Sequence, residues 1–131
     1  MLQRLEVGLR KRLEIERRRI KAQHAMLGEL FIDFLSPGGL DPFHFALLRS
    51  GLIAHFEMEE RVMIPALHGS SPERAPELLQ LVEEHKQFLH LLDVIGRAID
   101  RSETNQAVET AVSLMEQLTD HEQREEALYS V

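Results

Sequence analysis

The chain has 131 residues, 44% apolar and 5% aromatic, with no Cys or Trp and a formal net charge of -7. That length suits one domain able to bury a core without covalent staples, and the lack of Cys excludes disulfide frameworks, thiolate zinc sites, iron–sulfur clusters and thiol nucleophiles. Any metal must be held by nitrogen and oxygen, and the negative charge argues against a nucleic-acid binder, which needs a basic face for phosphates.

Residues 1–21 run against that overall sign. They hold Arg4, Arg10, Lys11, Arg12, Arg17, Arg18, Arg19 and Lys21 against Glu6, Glu14 and Glu16, leaving the remainder at -12. The plain reading is the solvated face of a long helix with i,i+4 ion pairs. The other is a docking surface for an acidic protein partner, a membrane surface or a second copy. No apolar run follows these charges as in a signal peptide, and no stretch approaches the roughly 20 apolar residues of a membrane span. A soluble, cytoplasmic protein is expected.

Leu occurs 21 times against 14 Val plus Ile, and Gly and Pro fall in clusters instead of at regular short intervals, which favours helices over strands. The first helical segment carries Leu13, Ile20, Leu27, Phe31 and Phe34 on one face and breaks at Ser36-Pro37-Gly38-Gly39. Asp41-Pro42 reads as an N-cap and first helical residue. The second segment follows with Leu48, Leu52, Val62 and Leu67; Pro65 should kink or end its last turn before His68-Gly69-Ser70-Ser71-Pro72. The third gives Leu78, Leu81, Phe88, Leu92, Ile95 and Ile99, and the fourth, after Arg101 to Asn105, gives Ala107, Ala111, Leu114, Leu118 and Leu128. The expected architecture is all-α: an up-down-up-down four-helix bundle forming one domain over 1–131, with a basic extension of helix 1 at 1–21.

Four of the seven His interrupt these stripes: His24, His55, His85 and His121, one per helix. A lone His on an apolar face is usually a core residue satisfied by one hydrogen bond, but here the levels coincide. His24 lies 11 residues before Leu35 and His55 lies 13 after Pro42; His85 lies 16 before Arg101 and His121 lies 16 after Asn105. At a rise of about 1.5 Å per residue, antiparallel packing brings all four into one layer. Four imidazoles in an apolar layer would be costly without another partner. Glu59 follows His55 by four residues and Glu125 follows His121 by four, so each acid shares its imidazole's face. Imidazole plus carboxylate without thiolate suits iron or manganese, and two carboxylates can bridge two metals.

Other site chemistries fit less well. No Glu has a His three residues later, as ferritin-like di-iron sites require, and His121-Glu122 lacks the second His of a zincin. Haem held by paired axial His remains open, although it leaves Glu59 and Glu125 without a role. His44 reads as a capping or surface residue, with a path to the site as the alternative; His68 reads as a helix-end residue. Tyr129 stands as a secondary candidate near the site.

One inward His in helix 1, His55-Phe56-Glu57-Met58-Glu59, a single His85, and His121-Glu122-Gln123-Arg124-Glu125 together resemble the haemerythrin-like HHE cation-binding family. The run from Glu59-Glu60 to Ile64-Pro65-Ala66-Leu67 also looks like the family's sequence after its second-helix motif, and the resemblance spans about 20–130. It implies a four-helix bundle holding two non-haem Fe ions with an oxo or hydroxo bridge. His24, His55, His85 and His121 would be terminal ligands and Glu59 and Glu125 bridges. The oxygen carriers of the family have a further His four residues after the third-helix ligand, where this chain has Leu89, with His90 one residue on. They place Asp five residues after the fourth-helix His, where this chain has Glu126. The four-His, two-Glu set looks instead like the family's di-iron repair proteins, without their Cys-bearing N-terminal region. The resemblance implies binding of a small diatomic or peroxide ligand such as oxygen or nitric oxide, in sensing, scavenging or iron supply and repair, by a protein that is a poor reversible oxygen carrier. The competing expectation is a structural or interaction bundle that binds metal for stability and recruits a partner through its basic helix. Leu27, Phe31, Leu52, Phe88, Leu89 and Leu118 should form the dry wall around the site.

Overall fold

The computed structural model describes residues 2–129 in backbone, and side chains at 7, 8 and 10–129; the side chain of Arg4 lies outside the described residues. Every apolar stripe becomes helix: α1 (Leu2–Leu35), α2 (Pro42–Met58), a π-helical turn (Glu59–Met63), α3 (Ile64–Ser70), a 3₁₀ turn (Pro72–Arg74), α4 (Ala75–Asp100) and α5 (Thr104–Tyr129). α2, the π turn and α3 form one continuous rod, so four rods run up, down, up and down, with α1 packed on α2 and α5, and α4 packed on α5 and α2. Among the described residues there is no strand, and no helix is long and apolar enough to cross a membrane.

The breaks work as their chemistry requires. Gly38 has φ +81°, a left-handed conformation open to Gly without penalty. Gly39 lies so close to the Asp33 carbonyl that an added Cβ would collide with it, which fixes the approach of the connection to α1. Asp41 then caps α2, accepting from the His44 backbone N at 2.7 Å and from His44 Nδ1 at 2.8 Å. His44, half-buried in the first turn of α2, thus takes part in the cap.

Pro65 neither ends nor breaks the second rod. It has no N–H to donate, and a proline ring crowds the carbonyl four residues back. The chain resolves this by widening the preceding turn, where the Ile64 N–H reaches the Glu59 carbonyl five residues back. The extra residue rotates the register. Met63 is fully buried, while Val62, expected on the stripe, is only half-buried.

The interior has two apolar clusters. One, toward the α1–α2 and α4–α5 connections, contains Phe31, Phe34, Leu48, Leu52, Phe88, Leu92 and Leu114 among others; the other, toward the opposite end, contains Ile20, Met63, Leu67, Leu78, Leu81, Leu128 and Tyr129. A polar layer lies between them. On α1 the described side chains from Val7 to Arg12 are exposed, with ion pairs Glu14–Arg18 (2.8 Å) and Glu16–Arg19 (3.4 Å) along the basic stretch.

The anticipated wall around the polar layer needs one correction. Leu27, Phe31, Leu52, Phe88 and Leu118 are buried, but Leu89 is 39% exposed. Phe88 takes the inward position next to the layer, packing on Phe56 (5.8 Å between ring centroids) and on His121 (5.1 Å), and Leu89, a further 100° round α4, turns toward solvent. Phe88→Ala should therefore cost about 3–5 kcal/mol in urea unfolding, through lost burial plus a cavity. Leu89→Ala should stay within about 0.5 kcal/mol, as for a surface position.

Candidate metal centre

The polar layer is built by one inward imidazole from each rod. His24 on α1, His55 on α2, His85 on α4 and His121 on α5 are all buried, as are Glu59 and Glu125, at 0% and 1% exposure. Ring centroids are 5.0 Å apart for His24–His55 and 5.0 Å for His85–His121, so the layer consists of two imidazole pairs. Phe56 stacks on His85 at 4.3 Å and closes the apolar side.

All four imidazoles aim Nε2 at the two carboxylates. His24 Nε2 lies 3.2 Å from Glu125, His85 Nε2 lies 3.0 Å from Glu59, and His121 Nε2 lies 3.4 Å from Glu125 and 3.8 Å from Glu59. His55 Nε2 abuts Glu59. Two four-residue groups result, His24, His55, Glu59 and Glu125, and Glu59, His85, His121 and Glu125. In each, the donor atoms lie within 4.8 Å of one another. Both carboxylates belong to both groups.

Three of the four outer ring nitrogens have hydrogen-bond partners, and that of His85 has none among the described residues. His121 Nδ1 donates to Glu84 at 2.7 Å, and Glu84 is gripped by the Arg124 guanidinium through two 2.7 Å bonds. His55 Nδ1 donates to the Gln23 side-chain oxygen, and His24 Nδ1 lies 3.2 Å from Glu126 with Glu122 at 3.9 Å. His85 Nδ1 faces Glu60 at 3.4 Å. At His24, His55 and His121, acceptors at Nδ1 select the tautomer with its lone pair on the inward Nε2, the form that ligates a metal. His55 Nε2, His121 Nε2, Glu59 Oε1 and Glu125 Oε2 are buried with no hydrogen-bond partner among the described residues. Unsatisfied, such atoms are costly; a cation amid the converging lone pairs satisfies them together. The donor set fits a metal on that ground as well as on its chemistry.

The side chains of the layer also set one another's protonation. Burial opposes ionisation of Glu59, but the close approach of Glu125, His121, His55 and His85 outweighs it and holds its carboxyl well below the usual range. Glu125 is raised, by burial first and by the neighbouring Glu59 carboxylate next. His121 is pushed up to about 10; burial works against the charge, and the adjacent carboxylates of Glu125, Glu59 and Glu84 prevail. Glu84 is driven down to about 2, its partial burial outweighed by Arg124 and His121.

All six residues singled out from sequence, His24, His55, Glu59, His85, His121 and Glu125, meet in this one layer. His68 and His90 are exposed and stand apart from it. Glu126 is drawn in behind His24, and Tyr129 is buried in the neighbouring cluster. Sequence reasoning missed Gln23 and Glu84. Each directly precedes an inward His, about 100° away, which reads as the rim of a solvated face. The available signal was charge across helices: with His85 and His121 level in antiparallel rods, Glu84 and Arg124 come within reach.

Residues 16–130 match the model of one family, the Hemerythrin HHE cation binding domain. Comparisons with curated proteins and with solved structures return no match.

The protonation pattern sets a test. His121, at about 10 when folded against 6.5 unfolded, contributes stability to the chelator-stripped protein that is full below pH 6.5 and lost as pH rises through about 10. Thermal melts should show that decline between pH 7 and 10. Titration with Fe(II) or Zn(II) at pH 7 in a weakly buffered indicator solution should release protons, because bound imidazole and carboxylate give theirs up. Metal uptake with no proton release would contradict the assignment.

Proposed function

The chain belongs to the Hemerythrin HHE cation-binding domain family, and from that premise we propose that it is a non-haem di-iron protein that binds or reacts with oxygen, nitric oxide or a peroxide. It is a metal-binding helical bundle; the identity of the metal, its number and its ligand are our reading. The observation that carries the reading is the membership of Glu59 and Glu125 in both four-residue groups. A single cation would need only one group. Two groups sharing two carboxylates suit two ions held side by side, with His24 and His55 on one and His85 and His121 on the other. Nitrogen and oxygen donors without thiolate favour iron or manganese over softer metals. Iron would supply accessible redox states and positions for a small exogenous ligand.

The residues of the chain define the conditions of that chemistry. Phe56, Phe88, Leu52, Leu27 and Leu118 keep water from one side of the layer. Glu84, fixed by Arg124, holds His121 in the ligating tautomer and makes it a stronger donor. The imidazoles number four: His90 is exposed, and Leu89 stands on an exposed flank. Two imidazoles and two shared carboxylates leave each ion with positions for water or ligand. That supports a sensor, a scavenger or a source of labile iron in the cytoplasm over a reversible oxygen carrier. We place the function in one domain, with the basic stretch as an extension of its first helix.

A second reading is favoured by the exposed Arg10, Lys11, Arg12, Arg18 and Arg19 together with Val7 (51% exposed) and Ile15 (56% exposed) on α1: a partner-recruiting bundle in which metal is structural. The two are separated by reactivity. Protein made in iron-replete medium should carry about two irons per chain, as a shared-carboxylate pair requires. The reduced form should change its near-ultraviolet spectrum on meeting oxygen or nitric oxide. Glu59→Gln with Glu125→Gln should abolish both. Bound metal that raises the melting temperature without any spectral response would favour the second reading.

A further inference from the structure

The polar layer faces an apolar cluster on either side, and the two sides differ in one respect. The cluster containing Phe31, Phe88 and Leu114 holds no polar side chain in its core, whereas the opposite cluster holds the Tyr129 phenol. Beyond the carboxylates, each rod contributes one side chain to that floor: Ile20 four residues before His24, Met63 four after Glu59, Leu81 four before His85, and Tyr129 four after Glu125. All four are buried, Tyr129 at 5% exposure.

The Tyr129 hydroxyl has no hydrogen-bond partner among the described residues and is fully shielded from solvent. A buried phenol without an acceptor is costly and is rarely left so without a reason. Helical side chains lean toward the helix N-terminus, which carries the phenol back from the last turn of α5 toward the level of Glu125. It lies in the electrostatic field of Glu125, Glu59 and Glu16, and burial together with those charges raises its pKa, so the group keeps its proton and has an O–H to donate. The apolar side chains that share its cluster, Met63, Leu81 and Leu128 among them, carry no oxygen acceptor.

We propose that Tyr129 is the hydrogen-bond donor for a small accepting ligand, neutral or anionic, lodged beside Glu59 and Glu125 on the Ile20–Met63–Leu81 side of the layer. The proposal rests on the metal-centre reading and adds to it the side on which the exogenous ligand sits and the residue that selects it. Ligands with an accepting atom are favoured over those without one, because only they satisfy the phenol. The π turn is part of the arrangement: by admitting one more residue between Glu59 and Pro65, it places Met63 in the floor opposite Tyr129. Such turns recur at functional sites.

The test compares wild type with Tyr129→Phe, both loaded with iron, using azide as the probe and its charge-transfer band as the signal. Tyr129→Phe should retain the wild-type iron content and bind azide about tenfold more weakly, the loss expected for one hydrogen bond to a charged acceptor. The chelator-stripped variant should melt at the wild-type temperature or above, since no intramolecular bond is removed. Equal azide affinity in the two iron-loaded proteins would overturn the assignment of Tyr129 while leaving the metal centre intact. A fall of more than about 4 °C in the stripped variant would also overturn it, by showing that the hydroxyl has a structural partner. Wild-type protein that takes up no metal would remove both readings together.

Discussion

Two carboxylates with almost no access to solvent lie side by side in the middle of the bundle, and the rest of the molecule is arranged around that fact. Ionised carboxylates are costly to bury, and a pair of like charges doubly so. Glu59 and Glu125 are tolerated because four imidazoles converge on them, one from each rod. The same convergence holds the Glu59 carboxyl well below the usual range, whereas burial and the neighbouring Glu59 raise Glu125. Acids and imidazoles thus offset one another, which lets a site of this polarity sit between two apolar clusters without dividing the fold.

Holding that layer level requires accuracy in register, and the most irregular backbone in the molecule is found beside it. A regular α-helix through Glu59 would meet Pro65 with one carbonyl obstructed. The π turn from Glu59 to Met63 removes the conflict and at the same time turns Met63 inward. The position of the acid, the continuation of the rod to Ser70 and the floor of the site thus share one local cause. Pro65 is better understood as a register device than as a helix terminator.

The imidazoles are equivalent in their inward contacts and unequal behind. His121 is backed by a carboxylate locked to an arginine, His55 by a neutral amide, and His24 by Glu126 with Glu122 nearby. Hydrogen-bonded carboxylates raise the donor strength of an imidazole more than amides do. The two halves of the centre consequently offer different environments to otherwise similar donor sets. Arg124, partly exposed and beside a surface cavity of about 400 Å³ that Glu84 and Phe88 also line, connects one half to the outside of the protein.

Much of this was legible in the chain itself. The helical period of the apolar residues, the Gly-Pro clusters and the closely matched spacings of His24 with His55 and of His85 with His121 from their shared connections determine an antiparallel bundle with one polar layer, because rise per residue is fixed and short connections leave little choice of level. The four-residue spacing in His55–Glu59 and His121–Glu125 likewise determines that each acid shares a face with its imidazole. What the tertiary structure alone decided depends on contacts between different rods. Gln23 and Glu84 sit on helix flanks whose exposure is set by the neighbouring helix, so their pairing with His55 and His121 has no periodic signature. Leu89 keeps to the outside for the same reason: a position 40° from His85 on the helical wheel falls inward or outward according to the packing of α2 and α5 against α4. Tyr129 shares a face with Glu125 by spacing, but the lack of an acceptor for its hydroxyl follows from three other rods each presenting an apolar side chain at that level.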